Sequence, residues 1–247
     1  MINPNVVVIC EILGRTIQGV TKPFRCRGED GSIYFVKGKH ASRRSQISEW
    51  VGGNLAKSFG LPVPRSAIVE IPEGLSRFLP DEWGEIGDGL AFGSLGVEGT
   101  VELTWSMVRR VPIELQQKIL LFDWWVRNGD RTLTELGGNP NLLWRAAAEE
   151  LVVIDHNQAF DDGFCSRDFL STHVFREMWP QVSGDAATRK RWEQCCENAI
   201  AMLDVALDSM PDEWWYVGED APHQFTQQRI IDSLESYASS TFWEFEK

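Results

Sequence analysis

The chain has 247 residues, 43% of them apolar, and a formal net charge of −12. That length supports one large domain or two lobes with a good core, while the acidity disfavours direct nucleic-acid binding and no run approaches the roughly 18 apolar residues of a membrane span. The five cysteines, Cys10, Cys26, Cys165, Cys195 and Cys196, form no CxxC pair, and an odd, scattered set fits reduced cytoplasmic thiols better than a disulfide framework or a zinc site.

The amino terminus has no basic stretch leading into an apolar signal core, so export is not expected. Residues 6–12 form a β-rich run, residues 14–19 a turn, and residues 20–27 a second strand. Glu29-Asp30-Gly31 is a tight hairpin signal, and residues 32–37 alternate as a strand that ends on Lys37. In the first turn, Gly19 and Thr21 could cover phosphates with their backbone. The stretch lacks a GxGxxG pattern, and an ordinary hairpin is the competing reading.

A helix is predicted over residues 45–59, stopped by Gly60 ahead of Leu61-Pro62-Val63-Pro64. Ile47, Val51, Leu55 and Phe59 make one apolar stripe. Glu49, Gly52, Gly53 and Ala56 make a second face, three of whose members are small. That face lets the helix approach another element closely at Glu49, where a carboxylate can fix the Lys37 ammonium and aim it at a nucleotide phosphate. The alternative is a solvated lysine and a surface glutamate.

Residues 67–71 read as a further strand. Residues 80–99 show no clear periodicity and form the natural boundary between a first part, residues 1–80, and a second, residues 81–247. The first carries a charge balance of +5 and the second of −17. Such a split suits a basic part receiving phosphates and an acidic part holding metal, or is incidental surface charge.

Residues 112–126 form a helix that is apolar on nearly every side and should be central. It delivers Asn128-Gly129-Asp130. Leu142-Leu143-Trp144 and the run before Asp155 read as two short strands joined by a hairpin near residues 146–150. Asp130 and Asp155 then sit at element ends beside one cleft, where carboxylates and amides can hold a divalent metal and orient a hydroxyl. Residues 161–180 are irregular, helices follow over 188–207 and 227–237, and Trp214-Trp215 and Phe242-Trp243 read as packing anchors.

Lys37, Glu49, Gly60-Leu61-Pro62-Val63-Pro64, Asn128-Gly129-Asp130-Arg131-Thr132, Asn139-Pro140-Asn141-Leu142-Leu143 and Ile154-Asp155-His156 occur in that order. Together they resemble the HipA-like protein kinases, in particular the short stand-alone HipA-like kinase domain. The resemblance implies an α+β, bilobal, protein-kinase-like fold. Its N-lobe would be a small antiparallel sheet with one helix, and its larger C-lobe mainly helical. It implies transfer of the γ-phosphoryl group of ATP, with Mg²⁺, to a Ser or Thr hydroxyl of a protein substrate. Known members act as toxins, so an antitoxin partner is part of the expectation. Carried over by position, Lys37 with Glu49 holds the α/β-phosphates, Asp130 orients the acceptor, and Asn139 and Asp155 bind Mg²⁺.

One departure stands out. Kinase catalytic loops place the metal-binding Asn five residues after the Asp, and that position here is Glu135; Asn139 comes nine residues after Asp130. The loop could bulge through Gly137-Gly138 and return Asn139 to its place. Glu135 or Asn141 could instead reach the metal, or the site could be disabled. The competing readings are therefore a pseudokinase or nucleotide-binding interaction protein, and a small-molecule phosphotransferase.

Overall fold

A computed structural model describes residues 6–16, 22–75, 80–216 and 224–244. Gly19 and Thr21 lie outside the described residues. The first five strands are β1 (Val7–Arg15), β2 (Phe24–Gly28), β3 (Ile33–Lys37), β4 (Ser66–Ile71) and β5 (Gly89–Leu95), and they close a barrel in the order β1-β2-β3-β5-β4. Neighbours run antiparallel except β1 and β4, which pair in parallel through Val7 with Val69 and Val8 with Glu70. Alternating inward residues, among them Ile9, Phe24, Cys26, Tyr34, Val36, Val69 and Ala91, fill the barrel as a core of their own.

β5 falls within residues 80–99, where the sequence shows no periodicity. It is a central strand carrying two glycines, and one is there for a steric reason. A Cβ on Gly93 would stand 2.6 Å from the Val69 side chain of the neighbouring strand. The sheet therefore closes only with a strand beyond residue 80.

The helix α1 (Arg43–Ser58) falls between β3 and β4 in the chain and packs both on the barrel and on the helical part beyond it. The Ser42 hydroxyl caps it, accepting from the Ser45 N–H at 3.3 Å. The helix is buried on several sides. Ile47, Val51 and Leu55 enter the large helical core, while its polar side chains hydrogen-bond inward. Gln46 donates to the Lys37 carbonyl at 2.7 Å and Ser48 to the Ala159 carbonyl at 3.2 Å. The face of small residues does what its composition suggests. A Cβ on Gly52 would lie 2.8 Å from that of His156, and one on Gly53 would lie 3.2 Å from the Ser66 hydroxyl.

Beyond the barrel, β6 (Thr100–Glu102), β7 (Leu142–Arg145) and β8 (Glu150–Val153) form a three-stranded antiparallel sheet. The helix α2 (Ile113–Trp125) is central, as its all-round apolar character predicts. Its indole N–H groups reach the carboxyl-terminal segments, Trp124 to the Phe242 carbonyl at 3.0 Å and Trp125 to the Leu234 carbonyl at 2.9 Å. Short helices α3 (Ser166–Thr172) and α4 (Trp179–Val182) occupy the stretch expected to be irregular. The single helix expected over 188–207 is two, α5 (Ala186–Ile200) and α6 (Leu203–Asp208), broken at residues 201–202; α7 (Gln227–Glu235) follows. Trp214, Phe242 and Trp243 are buried, in keeping with packing anchors. Among the described residues, no helix is long and apolar enough to cross a membrane.

Alanine normally stabilises a helix over glycine by about 1 kcal/mol, but overpacking costs about 1–3 kcal/mol. Gly52→Ala is therefore expected to lower the melting temperature, because its methyl group needs the space of His156. A raised melting temperature would show that α1 does not pack that closely.

Candidate functional site

Lys37 is the last residue of β3 and is 5% exposed. Its ammonium donates to Glu49 on α1, and also to Asp155 Oδ1 at 2.8 Å, in the loop after β8. Glu49 uses its other oxygen to accept from the His156 backbone N–H at 3.0 Å. A strand, a helix and a loop are thus joined through one cation. Burial by itself works to lower the lysine, but the two carboxylates outweigh it and hold Lys37 above the ordinary range. Burial pushes Glu49 up to about 7, against the pull of Lys37. Asp155 also feels burial, but Lys37 brings it below the usual carboxylate range.

Asp130 follows α2 in a loop where Arg127 takes a left-handed φ of 54°. Its Oδ2 accepts from the Asn141 side-chain amide at 3.0 Å, while Oδ1 is buried without a hydrogen-bond partner among the described residues. Burial, and then the neighbouring charge of Asp155, push its carboxyl up to about 6. Such an acceptor oxygen, buried and unsatisfied, suits a hydroxyl donor arriving from outside.

The long Asp130-to-Asn139 spacing closes on itself. Thr132 N–H donates to the Asn139 carbonyl at 2.9 Å, and Asn139 N–H to the Thr132 hydroxyl at 3.3 Å. The extra residues form a turn bridged between Thr134 and Gly137, with Glu135 and Leu136 exposed on its outside. Gly138 allows the closure, since a Cβ there would stand 2.4 Å from the Thr132 carbonyl oxygen. Glu135 therefore points away, and Asn139 returns to the site together with Asn141.

A cavity of about 520 Å³ lies beside these groups; Asp130 is not among its lining residues and meets it through Asn141. Lys37, Glu49, Asp155, Asn139 and Asn141 are its polar lining, and Phe35, Phe92, Leu142 and Val153 contribute apolar wall. Thr16, next to the stretch that carries Gly19 and Thr21, is also on the wall. A cavity that combines apolar wall with a cation and carboxylates is the form of site that can take a flat base and phosphates.

Sequence reading missed the buried group behind this cavity. Asp123 on α2 accepts from Arg131 Nε at 2.7 Å, from the Asn128 amide at 2.9 Å, and meets His173 Nε2 at 3.0 Å. Burial would raise Asp123, but Arg131 and His173 hold it well below the usual carboxylate range. A signal for it existed, because an acid inside a helix apolar on every side has to be paired. Its partners, five, eight and fifty residues on, were not legible. His156, packed edge-on against Phe122, is pushed down to about 3 by burial and is neutral.

A barrel carrying a lysine paired to a helix glutamate, set against a helical part carrying two acids on adjacent loops, has the architecture of a kinase. The fold is similar to that of the Helicobacter pylori proinflammatory kinase CtkA, with a TM-score of 0.56 at 12% identity, covering 96% of this chain and 95% of that one. The chain belongs to the HipA-like kinase family, whose model matches residues 9–246. The open conformation of CtTel1 is matched with a TM-score of 0.26 at 13% identity, over 91% of this chain and 12% of that one, too distant to carry any argument. No curated protein matches the chain.

The raised Asp130 generates a test of stability against pH. Its folded value, about 6, lies above the ordinary 3.8, so the folded protein holds this proton more tightly than the unfolded chain does. The associated stability is fully present below about pH 4 and is lost as pH rises through about 6. Asp130→Asn should therefore raise the stability of the nucleotide-free protein near neutral pH by about 1–3 kcal/mol. Melting curves recorded across the pH range should show that gain shrinking on acidification. A gain independent of pH would contradict the assignment.

Proposed function

We propose that this HipA-like kinase transfers the γ-phosphoryl group of ATP to a Ser or Thr hydroxyl of a protein. The observation that carries the reading is the convergence of Lys37, Glu49 and Asp155 on one cavity, with Asp130 close enough for Asp155 to perturb it. Lys37 binds the α/β-phosphates and Glu49 keeps its ammonium aimed. Asp130 accepts a hydrogen bond from the acceptor hydroxyl through its unpartnered oxygen and takes the proton as transfer proceeds.

The donor set fits Mg²⁺. Lys37 is already engaged by two carboxylates, Glu49 and Asp155, so a polyphosphate entering here needs further positive charge. Asp155 with an amide oxygen from Asn139 or Asn141 offers the hard oxygen ligands that Mg²⁺ prefers, the phosphates completing the set. Asn141 is favoured because it stands immediately before β7 and its amide already holds Asp130, leaving its oxygen for ligation. When bound, Mg²⁺ would neutralise charge on the β- and γ-phosphate oxygens.

We also read the chain as two lobes. The N-lobe runs through β5, since the barrel includes that strand, and the rest is the C-lobe. The five free cysteines fit a cytoplasmic setting. What supports a toxin role with an antitoxin partner is the family likeness.

Incubation with γ-labelled ATP and Mg²⁺ tests the reading. Label on serine or threonine of the protein or of an added protein substrate is expected, whereas label on a small molecule would favour a small-molecule phosphotransferase. Asp130→Asn and Asp155→Asn should each lower transfer by about 10³-fold with the fold retained. Turnover near the wild-type rate in either variant would reject the assignment. Lys37→Ala should weaken ATP binding about tenfold or more; an unchanged dissociation constant would place the nucleotide elsewhere.

A further inference from the structure

Arg131 is fully buried and ties three segments together. Besides Nε, its Nη2 donates to Asp123 at 3.3 Å, while Nη1 donates to the Asn141 carbonyl at 2.6 Å and to the Ile154 carbonyl at 3.0 Å. Those two carbonyls are well chosen. One belongs to the residue whose amide holds Asp130, and the other to the residue just before Asp155. Both Asn141 and Asp155 have left-handed backbone, with φ of 48° and 59°, which side-chain-bearing residues adopt when their surroundings hold them there.

The far side of the cluster is equally determined. The Phe175 N–H donates to His173 Nδ1 at 3.1 Å. That makes Nδ1 the acceptor and leaves Nε2 to carry the proton it donates to Asp123. The Arg131 carbonyl accepts from the Val174 N–H at 3.1 Å, and Thr132 bridges His173. Asp123, on α2, is therefore held from the Asp130 loop by Asn128 and Arg131 and from the segment after α3 by His173.

We propose that Asp123, Arg131 and His173 form a positioning device for phosphoryl transfer. His173 and Asn128 orient the Asp123 carboxylate, Asp123 fixes the plane of the Arg131 guanidinium, and Arg131 fixes the Asn141 and Ile154 carbonyls. The spacing between Asp130 and Asp155 follows from that chain of contacts. A guanidinium is required because one rigid planar fork meets a carboxylate on one edge and two carbonyls on another; an ammonium can satisfy the charge but not both edges. The inference rests on the kinase reading above.

Two variants separate positioning from plain structural support. Arg131→Lys keeps a cation beside Asp123 and loses the fork. The double variant Asp123→Asn with Arg131→Met removes both charges together, so that neither is left buried alone, an exchange buried ion pairs often tolerate. Each is compared with wild type by thermal melting, by kcat and KM for ATP, and by Mn²⁺ affinity from electron paramagnetic resonance with a non-hydrolysable ATP analogue.

The expected result is a folded protein whose kcat falls about 100-fold while KM for ATP moves less than about threefold, with Mn²⁺ binding weakened about tenfold. A folded double variant, or a folded Arg131→Lys, with kcat and Mn²⁺ affinity within about threefold of wild type would overturn the proposal, leaving a structural ion pair. If wild-type protein transferred no phosphoryl group, the kinase reading would fail by itself, and the Mn²⁺ affinities would still decide whether this cluster sets the loop geometry.

Discussion

The arrangement depends on one buried cation. Taking an ammonium out of water costs several kcal/mol unless opposite charge and hydrogen bonds replace the solvent. Lys37 meets that requirement only if Glu49 and Asp155 both arrive. Since Lys37 ends a barrel strand, Glu49 rides on α1 and Asp155 follows β8, the penalty binds three otherwise separate pieces to one geometry. The glycines on α1 serve the same end, because without a Cβ at position 52 the helix can lie against His156 and its carboxylate can reach the backbone there.

A second buried charge does comparable work behind the site. Asp123 sits in a helix that is apolar on nearly every side, where a lone carboxylate could not persist. Arg131, His173 and Asn128 all turn toward it. The two clusters divide the acids between them: one leaves Asp155 charged beside a lysine, and the other holds the loop that carries Asp130. The two acids consequently differ, Asp155 below the ordinary range and Asp130 pushed up to about 6. Burial and the charge of Asp155 outweigh the pull of Arg131 on Asp130, which suits the proposed role of taking a proton.

Much of the framework was legible because local patterns carry it. Alternation showed β3, all-round hydrophobicity showed that α2 is central, and the small-residue face showed where α1 needed close approach. The order of lysine, glutamate and two acids identified the family that the whole-chain match shows. Other features had no local signature. β5 carries two glycines and no alternation because its neighbours on both sides dictate its packing. The break between α5 and α6 at residues 201–202 falls within a run whose composition suits a single helix.

For this protein, then, the sequence by itself determined which residue types stand at element ends and in what order, since periodicity and turn chemistry act over a few residues. Tertiary structure decided what distance in the chain hides. It put Lys37 and Asp155 at 2.8 Å across 118 positions, turned Glu135 outward, brought Asn141 rather than a residue nearer in sequence onto Asp130, and paired Asp123 with His173. Charge pairing in a low-dielectric interior depends on separation in space, and only the folded chain sets that separation.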